Sequence, residues 1–211
     1  MTVAAKICGL STAETVDAAV RGGARFVGFV TFPKSPRYIS TGTMQTLGEL
    51  VPKTVTRVGL FVDPDDALLD ERLATGALDM LQLHGGETPD RVAAIRQRAG
   101  KPVMKAINVG AADDVERGIA AYAGVVDCLM FDAAAGTLPG GNARPFDWTF
   151  LSGRSVPVPW LLAGGLTPGN VTEAARVTGA PIVDVSSGVE ESRGVKSAAL
   201  IRAFLNRVKA L

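Results

Sequence analysis

The sequence predicts an α/β fold, a parallel (β/α)8 barrel, and three observations lead to it. Short apolar runs rich in β-forming residues alternate with longer segments of helical period along all 211 residues. Strict alternation requires parallel strands with right-handed crossovers, which leaves an open doubly wound sheet or a closed barrel. Eight units in about 200 residues match the smallest barrels, and no GxGxxG follows the first strand, so the barrel is favoured.

The predicted elements follow one another in the order that a barrel requires. We predict strands at 3–8, 26–30, 56–62, 80–83, 103–107, 126–131, 160–163 and 182–185. We predict helices at 13–21, 43–50, 65–75, 89–99, 113–122, 168–178 and 196–208, with a brief helix after Trp148. Thr88-Pro89 and Thr167-Pro168 each place a capping hydroxyl before a proline at the first helical position. Gly22 and Gly179 are typical of helix C-termini.

Composition and charge argue against several classes of function. We expect one domain over residues 1–211, large enough to bury a core without staples. The 22 Lys and Arg balance 21 Asp and Glu, so no net field would recruit nucleic acid or an anionic membrane. No apolar run approaches the ~20 residues of a membrane span, and Cys8 and Cys128 lack the spacing of metal or disulfide motifs. A cytoplasmic location is expected, and both a monomer and a homodimer fit the sequence.

Side-chain alternation along the strands predicts which residues share the barrel interior. The inward sets are Lys6 and Cys8, Gln82 and His84, Cys128, Met130 and Asp132, and Asp184 and Ser186. Polar groups thus collect at the carboxyl ends of the strands, where barrels of this kind build their sites. A neutralised internal network of buried charges is also expected, made of Lys6, Arg57, Lys105 and Asp184.

Two residues in these sets are candidates for acid/base chemistry. A lone buried cysteine usually packs as a small hydrophobe, and Cys128 in mid-strand fits that interpretation. Cys8 instead ends a strand before Gly9, where a thiolate could act as base or nucleophile. Asp132 alone fits a loop-start Asx turn, but opposite Cys8 across the barrel mouth it forms an acid/base couple.

Glycine-rich loops predict the class of ligand. The segments AGGLTPGN at 163–170 and VSSGVE at 185–190 follow the seventh and eighth strands. Backbone N–H groups in such loops bind phosphate, and this pair of strands is a recurring phosphate site in the fold. The loop at 32–40 adds Lys34 and Arg37, and the planar guanidinium of Arg37 suits a carboxylate.

Two further features lie near the predicted site. His84, the only histidine, is expected to orient a neighbour or ligand, with direct proton transfer the less favoured role. The glycine-rich segment 138–148 is expected to form a mobile lid anchored by Phe146 and Trp148.

With these motifs in place, the chain resembles the phosphoribosylanthranilate isomerases of tryptophan biosynthesis. The resemblance is carried in order by KICGL at 6–10, GFVTFPKSPRYIS at 28–40, VGLFVD at 58–63, LQLHGGE at 81–87, FDA at 131–133, PGG with FDW around 139–148, LAGGLTPGNV at 162–171 and VDVSSGVE at 183–190. It implies a (β/α)8 barrel without metal or cofactor. It also implies an Amadori rearrangement of a small phosphoribosyl substrate, N-(5′-phosphoribosyl)anthranilate.

The resemblance also implies roles for individual residues. Cys8 would be the general base on the ribose C2′ proton, Asp132 the general acid on the ring oxygen, and Arg37 the partner of the anthranilate carboxylate. The phosphate would be held by Gly164, Gly165, Ser187 and Gly188. A basic thiolate at working pH predicts a lowered pKa for Cys8.

The chain departs from the family pattern in two segments. Residues 142–144 are Asn-Ala-Arg where the family usually has Ser/Thr-Gly-Lys, which puts the dynamics of the lid in doubt. Residues 193–197 replace the usual Pro-Gly-x-Lys-Asp, with an effect expected only on the start of the last helix.

Three rival functions are weighed against this one. The related isomerase of the histidine pathway performs the same chemistry, but members of that group carry Asp at the position of Cys8. A non-catalytic sensor of phosphate ligands would have little use for both Cys8 and Asp132. A redox role for Cys8 lacks a resolving cysteine nearby.

Overall fold

Eight parallel strands close into a barrel in the computed structural model, which describes residues 2–134 and 146–211. Each strand pairs with the next in the chain, and β8 pairs with β1 to close the ring. The strands are β1 Ala4–Cys8, β2 Phe26–Val30, β3 Thr56–Phe61, β4 Met80–Leu83, β5 Val103–Val109, β6 Cys128–Ala133, β7 Trp160–Leu162 and β8 Ile182–Val185. The predicted fold is therefore confirmed.

Helices cover the outside of the barrel. They are α1 Ala13–Arg21, α2 Thr41–Glu49, α3 Asp66–Ala74, α4 Pro89–Ala99, α5 Ala112–Tyr122, α6 Val171–Thr178 and α7 Ala198–Lys209. The brief helix predicted after Trp148 is the 3-10 turn Trp148–Leu151. Among the residues described, no helix combines the length and the apolar character that a bilayer crossing requires.

Capping residues explain where most helices begin and end. The hydroxyls of Thr12, Ser40 and Thr88 accept hydrogen bonds from main-chain N–H groups three residues ahead. Gly179 ends α6 in the left-handed conformation, which confirms the prediction that it caps this helix.

Gly22 caps the C-terminus of α1, as predicted, although with right-handed backbone angles. One predicted cap differs from what the structure shows. The prediction that Thr167-Pro168 opens a helix is wrong, because the Thr167 hydroxyl accepts from Gly169 N in a local turn and α6 begins only at Val171.

A hairpin that the sequence did not predict separates β8 from α7. A short 3-10 turn, Ser187–Val189, leads into strands β9 Glu190–Ser192 and β10 Val195–Lys196, which pair antiparallel. Gly194 makes the turn between them with φ +86°. The departure at 193–197 was expected to affect only the start of the last helix. That expectation is right only in part, because residues 193–196 form the turn and β10, while Ser197 caps the start of α7 at Ala198.

The interior of the barrel has a small apolar core of its own. It contains Met104, Ala106, Cys128, Met130, Leu161 and Ala163, separate from the large core between strands and helices. Cys128 packs in this inner core, as predicted. The even-numbered residues of β5 and β6 therefore face inward, in agreement with the predicted alternation.

One ion pair remains from the predicted internal charge network. Lys6 is fully buried, and its Nζ lies 2.7 Å from Asp184 Oδ1 on the neighbouring strand. The placement of Arg57 and Lys105 in this network is wrong. Lys105 lies between inward-facing Met104 and Ala106, so its side chain points out of the barrel to Glu87.

Arg57 also points away from the barrel interior, because it lies an odd number of residues before the pocket-lining Leu60. Its guanidinium pairs with Asp79 just before β4, at the end of the barrel opposite the strand carboxyl termini, with Nη2 2.7 Å from Oδ1. The buried interior thus contains one cation from this predicted set, and Asp184 neutralises it.

We predict that Asp184→Asn destabilises the protein strongly, because it leaves the Lys6 ammonium buried without a counter-charge. The expected loss is about 3–5 kcal/mol in the free energy of unfolding, measured by urea denaturation at pH 7. Asp17→Asn is the matched control, since it removes the exposed partner of Arg21 and should cost less than about 1 kcal/mol. Equal losses in the two variants would contradict the prediction.

Candidate active site

A pocket opens at the carboxyl ends of the barrel strands and encloses about 620 Å³, including space open to solvent. Ten of the residues singled out in the sequence line it: Cys8, Arg37, Gln82, His84, Asp132, Gly164, Gly165, Asp184, Ser186 and Ser187. Lys6 lies buried next to Asp184, and Gly188 packs against the main chain of Leu166 and Thr167. The alternation of side chains thus brings together residues that are up to 180 positions apart.

Cys8 is the last residue of β1 and is almost completely buried. Its Sγ and Lys6 Nζ both lie against the Cα of Gly28, where an added Cβ would be 3.0 Å and 3.3 Å from them. Gly28, in the GFV motif, therefore leaves the space that the thiol and the ammonium share. This role has no local signal in the sequence, because it depends on a contact between two strands.

Burial raises the pKa of the Cys8 thiol above its ordinary value, although the nearby ammonium groups of Lys6 and Lys196 act in the opposite direction. The cost of a buried thiolate exceeds the attraction of these cations. The prediction of a lowered pKa for Cys8 is therefore wrong for the free protein.

Asp132 and His84 lie side by side in the pocket. His84 Nε2 is 3.1 Å from Asp132 Oδ2, although the N–H direction is not aligned for a hydrogen bond. Gln82 Nε2 donates to His84 Nδ1 at 3.0 Å, an orientation in which Nε2 carries the ring proton. The other carboxylate oxygen of Asp132 accepts from Ala133 N at 2.8 Å. His84 Nε2 is thus close enough to the carboxyl group of Asp132 for an electrostatic interaction.

Glu87 fixes the loop that follows His84. This buried carboxylate accepts hydrogen bonds from the main-chain N–H groups of Asp63 and Gly85, at 2.9 Å and 3.0 Å. Lys105 Nζ reaches it from outside the barrel at 2.9 Å. Glu87 belongs to the LQLHGGE motif, but only the fold shows that it joins the loop at Asp63 to the loop at Gly85.

Arg37 reaches the pocket from the loop after β2. Its aliphatic stem packs on Gly9, where a Cβ would be 2.7 Å from Cδ, and Gly9 has φ +79°. Its guanidinium forms a two-bond ion pair with Glu190, Nε to Oε1 at 2.6 Å and Nη2 to Oε2 at 2.9 Å. The sequence alone indicates no role for Glu190 beyond its place in the VSSGVE motif.

The two glycine-rich loops pack against each other at the edge of the pocket. A Cβ on Gly188 would lie 1.8 Å from Leu166 O, so only glycine permits this approach. Gly164 and Gly165 have φ of +88° and +66°, a conformation that favours glycine. Within the described residues, the main-chain N–H groups of Gly165, Ser187 and Gly188 have no protein acceptor. These donors are available to an anion.

Gly164 serves a second purpose that the sequence analysis did not anticipate. A Cβ there would lie 2.5 Å from Ala133 N and 3.0 Å from Asp132 Oδ1. The loop after β7 can therefore pass directly beside the Asp132 carboxylate only because this residue is glycine.

Part of the predicted lid lies outside the described residues, including positions 142–144, where the chain departs from the family pattern. Its predicted anchors Phe146 and Trp148 pack, partly buried, against the large core. In the described ranges 2–134 and 146–211, no three His, Cys, Asp or Glu side chains are grouped so as to hold a metal ion.

Comparison with known proteins connects this geometry to a family. The family model described as N-(5'-phosphoribosyl)anthranilate (PRA) isomerase matches residues 5–207. The N-(5'-phosphoribosyl)anthranilate isomerase of Paracoccus denitrificans is 54% identical over 100% of this chain and 99% of its own length.

Solved structures show the same similarity. The phosphoribosylanthranilate isomerase of Thermotoga maritima superposes with a TM-score of 0.90 at 34% identity, covering 100% of both chains. A second structure, with a TM-score of 0.85 at 33% identity and 100% of both chains, holds reduced 1-(o-carboxyphenylamino)-1-deoxyribulose 5-phosphate. A third, at 0.84 and 33% over 100% of both chains, is described as monomers of the dimeric Thermotoga maritima enzyme.

The family model covers nearly the whole chain, and the pocket residues lie in the motifs that carried the resemblance. The chain belongs to the N-(5'-phosphoribosyl)anthranilate isomerase family.

Proposed function

We propose that this chain catalyses the Amadori rearrangement of N-(5′-phosphoribosyl)anthranilate to 1-(2-carboxyphenylamino)-1-deoxyribulose 5-phosphate in tryptophan biosynthesis. The observation that carries the proposal is the presence of Cys8 and Asp132 in one pocket, at the ends of β1 and β6. A base and an acid on different walls can act on different atoms of one bound substrate. We also propose that the protein is cytoplasmic and that it is a monomer or a homodimer.

Asp132 acts first in the proposed mechanism. It gives a proton to the furanose ring oxygen while the anthranilate nitrogen lone pair forms a C=N bond to C1′ and the C1′–O bond breaks. The product of this step is an open-chain Schiff base. The carboxylate left on Asp132 lies 3.1 Å from His84 Nε2, and the proton on that nitrogen stabilises the new negative charge.

Cys8 acts second. Its thiolate removes the C2′ proton, which the adjacent Schiff base makes acidic, and the electrons move to the nitrogen to give an enolamine. Tautomerisation of the enolamine gives the ketone product. The ammonium groups of Lys6 and Lys196 favour the thiolate, against the effect of burial.

The remaining pocket residues hold the two ends of the substrate. Main-chain N–H groups of the two packed loops bind the phosphate, with Gly164, Gly165, Ser187 and Gly188 forming the contact surface. Arg37, which lines the pocket, binds the anthranilate carboxylate through the guanidinium N–H groups that Glu190 does not use. Such fixation at both ends holds C2′ and the ring oxygen near their catalytic groups.

We predict that Cys8→Ala and Asp132→Asn each lower kcat by about 100-fold to 10,000-fold, because each removes one proton transfer. The assay follows the loss of anthranilate fluorescence of the substrate with the purified full chain. Cys128→Ala is the matched control: it deletes the other buried thiol, in the inner core, and should keep kcat near that of the wild type. A Cys8→Ala enzyme within about threefold of the wild type would exclude the base assignment.

We also predict that the rate of Cys8 alkylation by iodoacetamide rises about tenfold per pH unit between pH 7 and 9. Only the thiolate reacts, and burial raises the pKa of this thiol above its ordinary value, so the thiolate fraction should still be growing over this range. The measurement uses the Cys128→Ala variant, in which Cys8 is the remaining thiol. No parallel rise is expected in kcat/KM, because the proposed mechanism also requires Asp132 to keep its proton, and the two requirements change with pH in opposite directions. An alkylation rate independent of pH would mean that the thiolate already exists at neutral pH and would contradict the prediction.

A further inference from the structure

We propose that Glu190 is a positioning residue for Arg37 and thereby sets the selectivity of the pocket for a ligand that carries a carboxylate. The inference rests on the proposed function, because it concerns the group that would bind the anthranilate carboxylate. Glu190 opens the β9–β10 hairpin (residues 190–196), and the proposed catalytic steps assign no role to Glu190 itself.

The contact between the two side chains fixes the plane of the guanidinium. Both oxygens of Glu190 are used, with Nε and Nη2 of Arg37 at 2.6 Å and 2.9 Å. The two side chains are 10% and 4% exposed, so the pair is shielded from water. A buried two-bond pair of this kind restricts the guanidinium to one orientation, whereas a surface pair does not. Arg37 also lines the pocket, so that orientation decides what it presents to a ligand.

Glu190 is itself held firmly. Lys196 Nζ lies 2.6 Å from its Oε1, and Gly194 N donates to its Oε2 at 3.0 Å. Lys196 also donates to the main-chain oxygen of Ser186 at 2.8 Å, which ties the hairpin to the end of β8. Although burial opposes its ionisation, these partners and Arg37 hold the pKa of Glu190 at about 2. Glu190 is therefore an anion at neutral pH.

The hairpin also touches the loop that carries Arg37. A Cβ on Gly194 would lie 2.7 Å from Pro36 O, so the turn of the hairpin packs directly on the residue before Arg37. Gly9 contacts the aliphatic stem of the same arginine. The guanidinium is thus fixed by Glu190 at one edge and by packing along its stem.

Two effects of removing the Glu190 charge oppose each other. Arg37 loses its orientation, which weakens carboxylate binding, but the pocket gains positive charge, which strengthens it. Burial already lowers the pKa of Lys196, and Glu190 is the main group that counters this effect. Without Glu190 the ammonium of Lys196 gives up its proton more readily, so the gain in charge is reduced. We therefore expect the loss of orientation to dominate.

The test compares two ligands that differ only in the carboxylate. They are reduced 1-(2-carboxyphenylamino)-1-deoxyribulose 5-phosphate and the same compound with a phenyl group in place of the carboxyphenyl group. Calorimetry gives both Kd values for the wild type, Glu190→Gln, Glu190→Asp and Glu191→Gln. Glu191 is the matched control, since it is the exposed neighbour with the same charge.

The wild type should prefer the carboxylate ligand, and Glu190→Gln should reduce that preference by about tenfold or more through misplacement of the guanidinium. Its Kd for the phenyl ligand should stay within about threefold of the wild type, because the phosphate loops are intact. In turnover, KM should rise more than kcat falls. Glu190→Asp keeps the charge but shortens the reach, so it should also lose preference. Glu191→Gln should match the wild type.

An unchanged or increased preference of Glu190→Gln for the carboxylate ligand would overturn the inference. A preference of Glu190→Asp equal to that of the wild type would also overturn it, because Glu190 would then act only as a source of negative charge. Equal binding of the two ligands by the wild type would overturn it as well. Failure of the proposed function has a different signature: the wild type would not convert N-(5′-phosphoribosyl)anthranilate at all.

Discussion

The closed parallel barrel imposes one constraint on which the rest of this structure depends: every second side chain of each strand must point into a narrow interior. The lower part of that interior is filled by Met104, Met130 and their neighbours. The upper part receives Cys8, His84 and Asp132, because each occupies an inward position at the carboxyl end of its strand or just beyond it. The site is therefore a consequence of strand register.

Charge in this pocket is largely paired within the protein. Lys6 is neutralised by Asp184, and Arg37 shares Glu190 with Lys196. Such pairing is what permits several ionised side chains to be buried together. It also explains why the pKa of the Cys8 thiol is raised: burial is the largest effect, and the nearby cations that oppose it are already engaged with carboxylates. The anionic ends of the proposed substrate therefore enter a site in which Lys6, Arg37 and Lys196 each already have a carboxylate partner.

Much of this arrangement could be predicted from the sequence, because period-two alternation and the ends of β-rich runs are local patterns. They were sufficient for the barrel and for the placement of Cys8, Asp132 and His84 in one pocket. The same alternation, applied to Lys105 between two inward apolar residues, would have directed it outward. The prediction that Lys105 faces inward is wrong because it did not take account of Met104 and Ala106 on either side of it.

Other features could not be predicted because they depend on contacts distant in sequence. The β9–β10 hairpin has strands of three and two residues, too short for a periodic pattern. Its glycine is explained by the approach of Pro36, and Glu190 by Arg37, 153 positions away. The pKa of Cys8 depends on the depth of burial, and the role of Gly28 depends on two side chains of the adjacent strand. None of these leaves a local signal.

The central claim is that Cys8 and Asp132 act on different atoms of one substrate held at its two ends. A crystal structure of this chain with reduced 1-(2-carboxyphenylamino)-1-deoxyribulose 5-phosphate tests it most directly. The account predicts Cys8 Sγ within about 3.5 Å of C2′, the phosphate on the loops at Gly165 and Ser187, and the carboxylate on Arg37. A ligand bound in the reverse orientation, or with C2′ out of reach of Cys8, would contradict it.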